Sequence, residues 1–392
     1  MGHVRVGADV LLQKKLELIA GKNVGLVTNH SALLSTGEHL VDALVKQKGV
    51  GLRALFGPEH GIRGKAPDRK SIGHEVDPET GIPVYSLFGK ITKPTPRMLK
   101  GIDVLIFDIQ DVGARFYTYS TTLALTMEAA AEEGIPYFVL DRPNPIGGTH
   151  VEGPILDKSL RSFVGCLPLP VVHGLTMGEL AAMINGEGWL RMKRAAQLSI
   201  VTMEGWRRSW MFDRTKLNWI NPSPSIRSLQ TALVYPGTCF IEGTNVSEGR
   251  GTDHPFEQIG APWIHGKDFC AKLRSFHLPG VAFTAVAFTP RSTRAVTTDS
   301  KFEGTKCEGV FIKVMAKNRF QPVKTGICLL QALQVLYPAR FTMKARRLDE
   351  LIGTRSVRRS ILKGTEPIEI AESWKSDNEQ FALSRRKYLL YK

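Results

Sequence analysis

The run Val104-Leu105-Ile106-Phe107, continuing into Asp108-Ile109-Gln110, has no polar residue on either of its alternating faces until its end. Strand side chains point to opposite faces by turns, so such a run belongs to a strand covered on both sides, as strands of parallel sheets are. Parallel neighbours need crossover connections, and the chain has the pattern for them. Apolar runs at 23–28, 52–56, 84–87, 104–110 and 137–140 each end in a polar, Gly- or Pro-containing loop. Helical stretches are expected at 39–48 and 118–133. A third helix, through about residue 186, opens with Thr176-Met177-Gly178-Glu179, the spacing of a capping box. Alternating strands and helices over about 240 residues predict an α/β, doubly wound parallel sheet.

From about Pro255 the texture changes. The runs at 281–288 and 309–314 read as strands of a mixed sheet, 325–337 as a helix, and 346 onward as basic helices. A chain of 392 residues exceeds one ordinary core, which agrees with a second, smaller α+β domain.

Composition narrows the function classes. Lys and Arg number 52 against 37 Asp and Glu, a formal net charge of +15. That excess favours an anionic partner: nucleic acid, an acidic cell-wall polymer or a carboxylate-bearing sugar. No zinc-finger spacing, aromatic RNA-binding signature or recognition-helix pattern accompanies it, so nucleic acid is not expected. The five cysteines are scattered without a C-x-x-C pair, which predicts reduced thiols and no structural zinc. No run of about 18 apolar residues is present, so no membrane span is expected. The first residues lack the apolar core of a signal peptide. The chain as it stands is therefore expected in the cytoplasm, or secreted or periplasmic had an export signal been removed.

Chemistry is expected in the loops that leave the strands at their C-terminal ends. The loop Phe56-Gly57-Pro58-Glu59-His60-Gly61-Ile62-Arg63 brings a carboxyl group, an imidazole and a guanidinium together within five positions. Glu59 there suits an acid, a base or a nucleophile. A second loop carries Gln110, Arg115 and Tyr117, and aromatic rings beside amides and carboxylates suit a sugar. In a third, Asp141-Arg142-Pro143-Asn144-Pro145, two prolines pin Arg142 and Asn144, with Glu152 just downstream. The fourth, 242–253, holds Glu248 and Arg250 among glycines, but neither dinucleotide nor P-loop spacing occurs in it. Asn29, His30, His60 and His173 all fall at strand exits, yet no metal-ligand spacing joins them, so no metal is expected.

Together these stretches resemble the exo-β-N-acetylmuramidases, a glycoside hydrolase family. The matching motifs are FGPEHGIRG at 56–64, DPETGIPVYSLFG at 77–89, DVLIFDIQDVGARFYTY at 103–119 and VLDRPNPIGG at 139–148. They continue with VEGPILD at 151–157, LPVVHGLTMGELAAMINGEGWL at 169–190, VYPGTCFIEGTNVSEGRGTDHPFEQIGAPW at 234–263 and RKYLLY at 386–391. The resemblance implies a Rossmann-like catalytic domain over 1–254, an auxiliary domain over 255–392, and an active site in the cleft between them. It implies removal of N-acetylmuramic acid from non-reducing ends of peptidoglycan-derived glycans, without a cofactor. The glutamate of the P-E-H-G motif, here Glu59, is the implied catalytic group.

Glycoside cleavage uses two carboxyl groups, or one with help from the substrate's acetamido group. Glu59 is expected as the general acid, and Glu152 and Glu248 as candidates for the second role, with substrate assistance left open. Arg63, Arg115, Arg142 and Arg250 are expected to face the lactyl carboxylate of muramic acid. Asn29, His30, His60, Gln110, Tyr117 and Asn144 complete the expected sugar-binding set. Two rival classes remain at this point: a non-catalytic binder of muropeptide fragments, and a nucleotide-using enzyme on the same scaffold.

Overall fold

The computed structural model describes residues 3–59, 61–63, 75–192, 194–292 and 299–392. Seven strands form the larger sheet: β1 (Asn23–Thr28), β2 (Gly51–Gly57), β3 (Glu75–Val76), β4 (Pro83–Ser86), β5 (Val104–Asp108), β6 (Tyr137–Leu140) and β7 (Leu198–Val201). Their order is β3-β4-β2-β1-β5-β6-β7. All neighbours pair in parallel except the short antiparallel β3–β4 edge.

The two-residue period sorts this sheet's side chains into two layers. Val24, Leu26, Leu55, Val104 and Ile106 pack beneath the helices Gly7–Lys14 and Leu40–Val45. Val27, Phe56, Leu105, Phe107 and Val139 pack on the other face, under Tyr119–Glu133 and Met177–Gly186. Each of the five β5 residues is fully buried, as its unbroken apolar pattern requires. The helix Tyr119–Glu133 stops at Gly134, whose φ of 68° is a left-handed cap that a β-carbon disfavours. The capping box at Thr176 and Glu179 forms as its spacing predicts, each residue's side chain accepting from the other's backbone amide.

A second sheet is antiparallel, with β8 (Gln258–Ala261), β9 (Val281–Phe288) and β10 (Cys307–Val314) in the order β8-β10-β9. The helix Pro322–Leu336 lies close against Leu229–Thr238. At their crossing a β-carbon on Gly237 would stand 1.9 Å from the Pro322 carbonyl oxygen, so only glycine permits the approach. The apolar core under β5 runs on without a break into Phe240, Ile259, Val310 and Leu330 of this second unit. The C-terminal segment returns to the first sheet. The Tyr391 hydroxyl donates to Asp141 Oδ2 at 2.5 Å, and Arg385 holds the His173 and Gly174 carbonyls.

Several elements lie outside the sequence expectations. Strands β3, β7 and β8, two to four residues long, have no counterpart among the expected apolar runs. The stretch expected as a helix over 39–48 is helical only from Leu40 to Val45. Among the described residues no helix is long and apolar enough to cross a membrane.

Strand order reverses between β1 and β5. The chain leaves β1 toward β2 on one side, while β5 pairs with the other edge of β1. The crevice beyond the C-terminal ends of such a pair is the usual ligand position in open α/β sheets.

Candidate active site

Strand β2 ends at Gly57 because Pro58 has no amide hydrogen to continue the ladder. The chain turns there, with the Gly61 amide donating to the Pro58 carbonyl at 3.1 Å and Gly61 at φ 70°. The turn carries Glu59, half-buried, into a cavity of about 450 Å³. That volume lies within the range of small-ligand pockets.

Its walls come from both units of the fold. Tyr117, Thr118 and Tyr119 enter from the connection after β5, with Phe88, Phe163 and Val164 as an apolar side. Ser223, Tyr235, Glu242 and Arg250 come from the segment that joins the sheets, and Lys344, Arg347 and Leu351 from the C-terminal helices.

The Thr118 hydroxyl stands 3.4 Å from Glu59 Oε2. Burial raises the Tyr119 phenol well above its ordinary pKa, and the Glu59 charge pushes in the same direction. Tyr119 is fixed at both ends of its hydroxyl: it donates to the Pro222 carbonyl at 2.8 Å and accepts from Asn29 Nδ2 at 2.9 Å. Tyr117 packs edge-on against Tyr119, with ring centroids 4.8 Å apart. Its hydroxyl, faced by Ser223, makes no hydrogen bond of good geometry among the described residues.

Opposite lies a charged cluster. Glu242 is buried, and its two oxygens accept from different guanidiniums: Oε1 from Arg250 Nη2 at 2.8 Å, Oε2 from Arg347 Nη2 at 2.7 Å. Burial lowers the Arg250 pKa to about 10, and Glu59 acts against that fall. Burial also works against the Arg347 charge, but Glu242 outweighs it and holds that pKa above the ordinary value. The Arg250 guanidinium sits 5.0 Å over the Phe256 ring. A carboxyl group beside tyrosines, facing a cation-rich wall, is an arrangement for protonating or stabilising a polar, anionic ligand.

Two family models match consecutive parts of the chain: the N-terminal part of exo-β-N-acetylmuramidase NamZ over residues 24–230, and its C-terminal part over 233–391. The chain belongs to the NamZ exo-β-N-acetylmuramidase family. It is 46% identical over 389 residues to the peptidoglycan β-N-acetylmuramidase NamZ of Bacillus subtilis strain 168, covering 99% of this chain and 91% of that protein. Two crystal structures of DUF1343 family proteins from Bacteroides fragilis have the same fold. One superposes with a TM-score of 0.92 at 35% identity, the other with 0.82 at 33%; each alignment covers 100% of this chain and 99% of the other.

Of the residues expected at the site of this NamZ-family chain, Glu59, Tyr117 and Arg250 line the cavity. Asn29 does not, but it holds Tyr119 from behind. Glu248 lies one step behind Arg250, with Lys301 Nζ 2.9 Å from its carboxylate and Arg250 Nε at 3.5 Å. His60 lies outside the described residues.

The others stand elsewhere, each for a visible reason. Glu152 lies in a separate groove. Its Oε1 accepts the Lys324 amide at 2.8 Å, in the first turn of the helix Pro322–Leu336, and its Oε2 meets His150 Nε2 at 2.9 Å. Carboxylates satisfy the open amides of a helix N-terminus in this way. Arg63 is bound by Asp77 and Asp42 at 2.9 and 3.0 Å, with hydrogen bonding to Asp77 the main reason its pKa is raised. Arg115 is fully buried and donates to the carbonyls of Pro154, Leu169 and Leu351, which ties the C-terminal helices to the sheet. Burial alone lowers its pKa to about 9.

Arg142 makes a two-pronged pair with Asp108, at 2.5 and 2.8 Å, beside a smaller cavity of about 170 Å³ that Gln110 also lines. Asn144 closes its own loop through the Leu175 carbonyl and the Ile146 amide. His30 Nε2 meets the Asn221 carbonyl at 2.7 Å, and burial lowers its pKa. His173 is wholly buried, with its pKa lowered to about 3 by burial, and is neutral at physiological pH. Among the described residues no group of three or more His, Cys, Asp or Glu is placed to hold a metal ion.

Sequence reasoning passed over Glu242, Lys344 and Arg347. Glu242 heads the glycine-rich loop but precedes its polar run. Lys344 and Arg347 read as part of a solvated basic surface. Lys344 is the N-cap of the helix Ala345–Ile352 and Arg347 lies in its first turn, and no periodicity in the sequence marked them.

Proposed function

We propose that this chain releases N-acetylmuramic acid from the non-reducing ends of peptidoglycan-derived glycans, with Glu59 as the general acid. The supporting observation is the position of Glu59 on the wall of the switch-point cavity, among Tyr117, Thr118 and Tyr119 and facing Arg250. A carboxyl group there can hand a proton to the glycosidic oxygen of a sugar seated on the aromatic wall. For the second half of the reaction, Glu242 is the other carboxylate on this wall among the described residues, and both of its oxygens accept guanidinium hydrogens. Those bonds occupy both oxygens and hold the carboxylate against the arginines rather than leaving it free to attack the sugar. The substrate's 2-acetamido group is therefore the proposed nucleophile, with overall retention of the β-configuration. Glu242, held by its arginines, is the proposed partner that orients the acetamido N–H.

The test is release of N-acetylmuramic acid from the disaccharide N-acetylmuramyl-N-acetylglucosamine, followed by chromatography. Glu59→Gln is expected to lose about 10²- to 10⁴-fold in kcat/KM, the usual worth of a general acid. Equal turnover by both proteins removes Glu59 from the mechanism. Tight binding without release by the wild type favours a binding protein instead.

A further inference from the structure

Among the described residues three cations line the cavity wall, and they differ in what already faces them. Arg250 and Arg347 both donate to Glu242. Lys344 lines the same cavity, is exposed, and has neither an ion pair nor a side-chain hydrogen bond among the described residues. Behind the wall Glu248 is matched by Lys301. With Glu59 protonated for its role as an acid, the wall carries a positive excess, and Lys344 is the part of it that no carboxylate faces among the described residues.

N-acetylmuramic acid differs from N-acetylglucosamine by a lactyl ether on the sugar's third oxygen, which adds one carboxylate. A site that separates the two sugars needs a cation not already neutralised by the protein. We infer that Lys344 is the specificity-determining residue that pairs with this lactyl carboxylate; the inference rests on the muramidase reading above and adds to it the recognition of the substrate's charge. The backbone that carries Lys344 is well fixed. Its amide donates to the Gly243 carbonyl at 2.8 Å, and Met343 bridges to Thr244, so the residue is anchored beside Glu242. A flexible ammonium on a fixed base suits a half-solvated carboxylate, where a rigid bidentate fork is not needed. The side chain caps nothing and is exposed, so its replacement leaves the fold intact.

The experiment varies the charge on both partners. Aryl β-glycosides of N-acetylmuramic acid and of its lactyl methyl ester are offered to wild type, Lys344→Met and Lys344→Arg. The wild type is expected to prefer the free acid over the ester by roughly 5- to 50-fold, carried mainly in KM, as befits one partly exposed charge-assisted bond. Lys344→Met is expected to lose that preference, and Lys344→Arg to keep most of it. A Lys344→Met protein that retains the full preference overturns the inference. The same pair of glycosides is also titrated calorimetrically against Glu59→Gln and Glu59→Gln/Lys344→Met. Absence of turnover in the wild type contradicts the hydrolase reading, while the calorimetry still decides Lys344. Acid-over-ester affinity that disappears with Lys344 supports the inference, and affinity indifferent to Lys344 refutes it.

Discussion

Glu59 and Glu152 look alike in sequence: each sits among glycines and prolines within two residues of a histidine. In the folded chain they part. Glu59 faces a cavity with tyrosines on one side and Arg250, Lys344 and Arg347 on the other. Glu152 is 7% exposed and gives its oxygens to a helix-terminal amide and to His150, in a groove between the first unit and the C-terminal helices. The same side chain thus lines a ligand-sized cavity in one place and caps a helix in the other. What separates them is the partners that distant parts of the chain bring, not the local motif.

The sharpest way to break this contrast is to change both residues in the same manner. Glu59→Gln is expected to abolish most turnover while leaving the unfolding midpoint close to wild type. Glu152→Gln is expected to keep turnover and to lose about 1 kcal/mol of stability, because a neutral amide still accepts the Lys324 hydrogen but no longer carries charge at the helix terminus. Urea unfolding at constant m-value reads the second effect, and the disaccharide assay the first. A Glu152→Gln protein as inactive as Glu59→Gln erases the distinction.

Glu242 tests whether the cavity's second carboxylate is structural as well as polar. Glu242→Ala leaves Arg250 and Arg347 without their shared partner. The expected loss is roughly 2–4 kcal/mol, reduced from a fully buried case because the Arg347 side chain remains 34% exposed. Stability close to wild type in urea would mean that the two guanidiniums find other partners.

A pH-dependent effect concerns Asp111, behind the tyrosines. Its Oδ2 accepts the Gly113 amide at 2.7 Å, its Oδ1 has no partner among the described residues, and burial raises its pKa to about 7. An unfolded aspartate titrates near ~3.9, so between those values the native state holds a proton that the unfolded chain has released. Stability therefore falls as pH rises from about 4 to 7. Asp111→Asn is expected to flatten that slope, measured as urea midpoints across the range, and an unaltered slope assigns the effect to another group.

How much was legible beforehand follows the same division between local and distant information. The parallel sheet was readable because β5 and its neighbours state their double burial residue by residue, and the helix at Met177–Gly186 because its cap lies within four residues. The cavity position of Glu59 was readable because Pro58 ends its strand in a motif that is entirely local. The arginines were not separable by type. Arg63, Arg115 and Arg142 are bound by Asp77, by the Leu351 carbonyl and by Asp108, partners 14, 236 and 34 residues away in sequence. Arg347 reaches the cavity from 105 residues beyond Glu242, and no periodicity reports such a meeting.

The central claim is that Glu59 gives its proton to the departing oxygen, and its most direct test varies how much that oxygen needs one. Glycosides of N-acetylmuramic acid with leaving groups from strongly acidic phenols to a sugar alcohol are compared in wild type and Glu59→Gln. The account predicts that the deficit of Glu59→Gln is small for the most acidic phenol and grows steadily toward the sugar. A deficit of the same size for every leaving group contradicts it.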